Sequence, residues 1–298
     1  MMSRADVHIH TKHSGIGRLG FLRFPESVSD PQDVVKNAHS MGLSVICITD
    51  HNAIDGALEA RRCAEDYPGL EVVVGEEIST SEGELIGLFL KEYIPPGMSA
   101  EETIIRIREQ DGLVIAPHPF SLHCPALGDR IDHLDIDAIE VLNAGHIDGF
   151  ANTKAAQWGS SGRWAQVGGS DSHTLSTLAD AYTLFEGETA EDLRRSILDK
   201  STHVKGDSWR LEKVISWSVG VVIASDVLML KSIFGLIREA DMHDPIVSKI
   251  DVLRPGKKLM ALIGSIIYLV PPIPYICGIT GRFHLKKLAR LEQAARRK

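Results

Sequence analysis

Residues 30–51 read DPQDVVKNAHSMGLSVICITDH, and the order of events inside this stretch decides the fold. Asp30 is a helix-capping residue, and Pro31 suits the first helical position, where a missing N–H costs nothing. The helical run DVVKNAHSM closes on Gly42, and the β-rich run Ser44–Thr49 follows, leading directly into Asp50 and His51. The same unit recurs on both sides. Upstream, Asp6–Ile9 is a predicted strand; downstream come Glu71–Val74, Leu85–Leu90, Leu113–Ala116, Ala138–Leu142, Ala165–Val167 and Ala181–Phe185. Between them, Ser99 and Glu102 form a capping box that opens AEETIIRIREQ, ended by Gly112, and Thr189 opens AEDLRRSILDK in the same way. Strand and helix alternating seven or eight times is the pattern of a parallel α/β fold. Over 298 residues, with 44% hydrophobic and 24% charged content, it fits one large α/β barrel plus an appendage.

The strand exits carry the chemistry. The first strand ends in His8 and His10, which share a face because strand side chains repeat every second residue. The second runs into Asp50-His51, the third into Glu76-Glu77 and LVIA into Pro117-His118-Pro119. AIEVL runs into Asn143, and AQV into Gly169-Ser170-Asp171-Ser172-His173. In a TIM-like barrel all of these lie on the C-terminal face, where active sites are built. Taken singly, each has an ordinary reading: a lone H-x-H decorates many strands, and Asp50 would serve equally as a helix cap. Five such features at the exits of different strands point together to two or more divalent cations of the zinc, manganese or iron kind.

Composition removes other classes. A formal net charge of −8 argues against a generic nucleic-acid coat. Cys47, Cys63, Cys124 and Cys277 show no C-x-x-C spacing, so they read as reduced thiols in a cytoplasmic setting rather than as a disulfide framework or a thiolate zinc site. The opening MMSRADVHIH lacks an apolar h-region, so no secretory signal is expected. Gly15, Gly17 and Gly20 spell the dinucleotide-binding G-x-G-x-x-G, but that motif must open a helix, and FLRFPESVSD follows instead.

The set DVHIHTKHSG, ITDHNAIDGALEA, GEEIST, IAPHPF, IEVLNA and GGSDSHT resembles the PHP (polymerase and histidinol phosphatase) superfamily, over roughly residues 5–205. The resemblance implies a distorted TIM-like (β/α)7 barrel with two or three divalent metal ions, Zn, Mn or Fe, that hydrolyses phosphate esters. By position it implies His8, His10, His51, Glu77, His118, Asp171 and His173 as metal ligands. Glu77 would be the bridging carboxylate, and Glu77, Asp171 and His173 the catalytic core. Two positions depart from the pattern. Where many members carry an acid five residues after the second histidine, as ligand to a third ion, this chain has Gly15, with His13 the nearby candidate. Where many carry a histidine ahead of an L-I-G-L-type strand, this chain has Glu84, which either ligates or faces solvent.

The expected chemistry is attack of a metal-bound hydroxide on phosphorus, the cations about 3.5–4 Å apart and clamping the phosphoryl oxygens. Lys12, Arg18 and Arg23, in the loop after the first strand, are candidate phosphate contacts, with ordinary solvated charges as the plainer reading. The substrate class is a phosphorylated small molecule or a short nucleic acid. The alternative is a non-catalytic PHP-like module acting as a membrane-associated scaffold, which the complete ligand set disfavours.

Past Lys205 the alternation stops, placing a boundary near 205–212 between a catalytic domain, 1–205, and an apolar helical extension, 206–298. Leu259–Ile279 is an uncharged apolar run near the length that spans a bilayer, although Pro271, Pro272 and Pro274 interrupt it. Val214–Leu230 is similar but holds Asp226, which is costly in lipid unless paired. With the basic tail GRFHLKKLARLEQAARRK, this predicts a hairpin that attaches the protein to the cytoplasmic face of a membrane, the rival being an apolar soluble subdomain.

Overall fold

The computed structural model describes the backbone of residues 1–19 and 22–295, with side chains throughout except at 17–19, 22, 23, 240 and 295. The strands are β1 (Met2–Ile9), β2 (Ile16–Leu19), β3 (Leu22–Pro25), β4 (Val45–Ile48), β5 (Glu71–Ser79), β6 (Glu84–Leu88), β7 (Leu113–Ala116), β8 (Ala138–Asn143), β9 (Ala165–Gly169), β10 (Ala181–Glu186) and β11 (His203–Gly206). The helices are α1 (Pro31–Ser40), α2 (Asp55–Cys63), α3 (Ala100–Glu109), α4 (Phe150–Gly159), α5 (Ala190–Leu198), α6 (Leu211–Ile233), α7 (Pro245–Asp251), α8 (Pro255–Leu269) and α9 (Ile273–Ala295). The caps do what their chemistry dictates. Asp30 accepts from the Gln32 amide, and Ser99 with Glu102 and Thr189 with Asp192 close complete capping boxes.

Nine strands form one sheet in the order β11-β10-β1-β4-β5-β6-β7-β8-β9, curled into a nearly closed barrel. The expected barrel is present, and its distortion takes a definite form. β1-β4-β5 and β7-β8-β9 are two parallel blocks, whereas β6 runs antiparallel to both neighbours, and β10 and β11 pair antiparallel beside β1. The expectation of an all-parallel sheet is corrected there, because residue pattern carries no strand direction. Between β9 and β1 the seam is closed by the buried Asp6 carboxylate, which accepts from the amides of Ser170 and Ala179, both at 2.9 Å, and by the His10 amide, which donates to the Ser172 carbonyl at 2.9 Å. β2 and β3 form a separate hairpin within the long loop after β1, so Gly15 and Gly17 lead into a strand and the dinucleotide reading fails on structure too.

The core has two shells. Inside the barrel lie Ala5, Val7, Val45, Cys47, Val73, Ile86, Leu113, Ile115 and Val167, with Leu193 and Ile197 of α5 packed against them. Outside, Ile9, Ile46, Ile48, Val72 and Val74 pack on Val34, Val35, Ala57, Ala60 and Ile107 of the surrounding helices. Ile9 is the telling member. Ala5 and Val7 face inward, so strict alternation would place Ile9 inside as well. The register slips between Asp6 and Ile9, sending Ile9 outward and giving the inner face to His8 and His10. A second slip, between Glu140 and Leu142 of β8, turns Asn143 toward the same mouth.

Candidate metal centre

Glu77 is the hub. It lies inside β5, 1% exposed, and its two oxygens face different partners. Oε2 lies 3.2 Å from His8 Nε2, 3.3 Å from His10 Nε2 and 3.2 Å from His51 Nδ1; Oε1 lies 3.0 Å from His118 Nε2. Asp171 Oδ1 approaches His10 Nε2 at 3.2 Å and His8 Nε2 at 3.5 Å. His173 stacks on His10 with ring centroids 4.3 Å apart, and its Nδ1 is tied to the Asp171 carbonyl at 2.8 Å. Glu84 opens β6, whose reversed direction brings it to the same mouth. It is buried there, 3.9 Å from both His51 and His118, and does not face solvent.

The outer contacts aim these donors. Glu140 Oε1 accepts from His8 Nδ1 at 3.1 Å; Ser14 Oγ accepts from His10 Nδ1 at 2.9 Å and itself donates to Asp50 Oδ1 at 2.7 Å. With each Nδ1 engaged, both Nε2 atoms face inward, 3.0 Å apart beside one carboxylate oxygen. Nitrogen lone pairs converging this way on shared carboxylates fit divalent cations, and the carboxylate and hydroxyl behind each imidazole are the usual support for such ligands. His118 (φ 29°) and Asp171 (φ 51°) hold left-handed backbone, a strain that persists only where surrounding contacts enforce it.

The imidazoles and carboxylates shift one another's proton affinities. Burial opposes ionisation throughout, but hydrogen bonds to Asp171 and Glu77 outweigh it at His10, lifting it to about 10, and Glu77 lifts His118 to about 9. Burial would raise Glu77 and Asp171, yet the surrounding imidazoles hold both well below the usual carboxylate range. Glu84 is pushed up to about 8 by burial and by the Glu77 charge, whereas burial and the His10 charge press His173 down to about 3.

Thus His8, His10, His51, Glu77, Glu84, His118, Asp171 and His173 come together, in overlapping donor groups that include His8-Glu77-His118, His8-His10-Asp171, His51-Glu77-Glu84 and His10-His51-His173. Other candidates do not join them. His13 turns to Glu59 at 3.2 Å, and Lys12 is held by Asp30 at 2.6 Å and Asp244 at 3.3 Å. The side chains of Arg18 and Arg23 lie outside the described residues. Gly15 sits at φ 90°, ψ −141°, a conformation that side-chain-bearing residues rarely adopt, so an acid at that position would be strained. Sequence reasoning missed Glu140 and Ser14 as supports. An acidic residue in the middle of the apolar run AIEVL was the available signal for the first.

Comparison with known proteins identifies the family. The family model for the PHP domain matches residues 6–113, and the model described as PHP-associated matches residues 149–202. An uncharacterized protein of Methanocaldococcus jannaschii is 55% identical over 152 residues, spanning 51% of this chain and 88% of its own length. A 5'-3' exoribonuclease of Haemophilus influenzae is 31% identical over 81 residues, 27% of this chain and 25% of that protein. Among solved structures, a two-domain protein of Bacteroides vulgatus containing a PHP-like metal-dependent phosphoesterase superposes with a TM-score of 0.57 at 17% identity. The match covers 70% of this chain and 65% of that one, and the likeness is one of fold. Motif order, ligand-competent side chains and fold converge: the chain belongs to the PHP family.

Proposed function

We propose that the protein is a metal-dependent phosphoesterase in which Glu77 would be the central carboxylate holding the divalent ions. The observation that supports this most is the division of its carboxylate, with Oε2 facing His8, His10 and His51, and Oε1 facing His118. On this reading His8, His10, His51, Glu84, His118, Asp171 and His173 complete the ligand set, and the His10-His51-His173 group would take a third ion weakly. When bound, such ions supply Lewis acidity toward phosphoryl oxygens and lower the pKa of coordinated water. The chain's own part is to fix this geometry. Glu140 and Ser14 orient His8 and His10, and Asn143 donates to Asp171 Oδ2 at 3.1 Å, leaving Oδ1 directed inward.

The substrate would be a phosphomonoester or a short oligonucleotide phosphodiester; the similarity to a 5'-3' exoribonuclease favours testing RNA ends. The test is a panel of p-nitrophenyl phosphate, bis-p-nitrophenyl phosphate, 5'-phosphorylated short RNA, nucleoside bisphosphates and histidinol phosphate, with manganese and with zinc. At least one member should turn over only when metal is present. Asp171→Asn, which keeps size but weakens ligation, should lower that turnover by several orders of magnitude while the thermal transition stays cooperative. Full activity in Asp171→Asn or in chelated protein would remove the metal mechanism. Failure of every panel member despite bound metal would favour the non-catalytic scaffold.

A further inference from the structure

We propose that His123, Cys124 and His146 form a second metal site, separate from the Glu77 centre, for a single zinc-type transition ion. A donor atom from each of the three lies within 4.8 Å of the other two. His146 is the anchor. It is 1% exposed, and its Nδ1 contacts Asn143 Oδ1 at 3.0 Å, which can only accept. Nδ1 therefore carries the proton and Nε2 the lone pair, and that Nε2 is buried without a hydrogen-bond partner. A bare imidazole nitrogen in such a place is unfavourable unless something electrophilic meets it. Its ring is flanked by His118 at 5.3 Å and His123 at 4.6 Å between centroids.

The other two donors are presented by a fixed turn. Ser121 Oγ accepts from the amides of His123 at 3.2 Å and Cys124 at 2.9 Å, while the Ser121 amide donates to the His118 carbonyl at 2.9 Å. Bonds of roughly 2.0 Å to nitrogen and 2.3 Å to sulfur require donors roughly 3.3–3.8 Å apart, so the cluster needs to close by no more than about 1.5 Å. His123 is exposed and can supply that movement by rotating. Two imidazoles and a thiolate suit zinc or cobalt, in contrast to the thiolate-free Glu77 centre, and three protein donors leave a fourth position for water. Cysteine spacing gave no sign of this, because the partners of Cys124 are histidines and one of them lies beyond the next strand.

The thiolate gives the site its own signature. Full-length protein, stripped of metal and kept reduced, is titrated with Co(II) and followed in the near ultraviolet for thiolate-to-cobalt charge transfer. The band should appear in the wild type and in Asp171→Asn, vanish in Cys124→Ser, and be displaced by Zn(II). Cys47, Cys63 and Cys277 belong to none of the donor clusters among the described residues, so replacing Cys63 and Cys277 by serine should leave it intact. Absence of the band in the wild type, or its survival in Cys124→Ser, overturns the proposal. Should Cys124→Ser fail to fold, the exposed His123→Ala carries the test: Co(II) affinity read from the same band should fall at least tenfold, and unchanged affinity overturns the site.

Discussion

Glu76 and Glu77 are neighbours on one strand with opposite fates, and the strand's two faces account for both. Glu77 points into the barrel among imidazoles; Glu76 points outward, fully buried, with Oε2 accepting from the Ile94 amide at 2.9 Å and Oε1 without a partner. Burial pushes Glu76 up to about 8 from 4.5, so it is protonated at neutral pH. The consequence for stability follows from linkage. Below about pH 4.5 the folded and unfolded chains both hold the proton, and the stability is fully present. As pH rises toward 8 only the unfolded chain releases it, costing roughly 1.4 kcal/mol per unit, about 3 kcal/mol by pH 7. Glu76→Gln keeps the shape and the acceptor for Ile94 without the titration. Urea midpoints of variant and wild type should therefore diverge in favour of the variant between pH 5 and 8, and parallel profiles would show Glu76 ionised in the fold. The family resemblance already pointed to Glu77 rather than Glu76, and once β5 is known to reach Ser79, alternation alone separates the two.

Two register slips in the barrel strands aim the site, and glycine makes room where they converge. A Cβ built on Gly169 of β9 would stand 2.5 Å from the His8 Cβ and 2.6 Å from Glu140 Oε1. Gly169→Ala should therefore push His8 and its supporting carboxylate apart. The expected result is a loss of roughly 1–3 kcal/mol of stability, typical of overpacking, together with a drop of at least about tenfold in metal affinity through the disturbed support. Metal titration of the folded variant separates the two effects, and unaltered affinity would mean that β9 does not set the position of His8. The elements themselves were largely legible. The run Leu113–Ala116 matches β7, and Asp30, Ser99 and Thr189 cap the helices their sequence context announces. Strand direction and register slips were not, since both depend on which strands meet across the barrel. The β2-β3 hairpin was hidden in a glycine-bearing loop, where four-residue strands leave too short an alternation to read.

The extension after β11 is apolar on its outside. α6 is 23 residues long, about 35 Å at the usual rise, and only 17% of its most apolar stretch is buried, whereas a soluble core helix of that composition would be mostly covered. Ile223, Val227 and Leu230 of α6, Met260 and Ile266 of α8, and Ile276 of α9 are all exposed. α8 and α9 meet at an 82° bend beside Pro271 and Pro272, so the second apolar run is not one straight helix. Two polar pairs link α6 to α8: Asp226 accepts from Ser265 Oγ, and Ser218 meets Tyr268, both at 2.7 Å. The barrel mouth faces the same body, for Trp217 of α6 lies edge-on to His173 at 5.7 Å and donates to the Glu26 carbonyl at 3.2 Å. We propose that this extension holds the protein on a membrane, with the metal centre opening beside the attached helices and Arg282, Lys286, Lys287 and Arg290 on the flank that meets anionic headgroups. Full-length protein should sediment with membranes and be released by detergent but not by high salt, since burial of apolar helices rather than charge dominates the attachment. A chain ending at Lys205 should stay in the supernatant. Recovery of full-length protein in the high-speed supernatant without detergent would instead make the exposed apolar faces an interface between protein subunits.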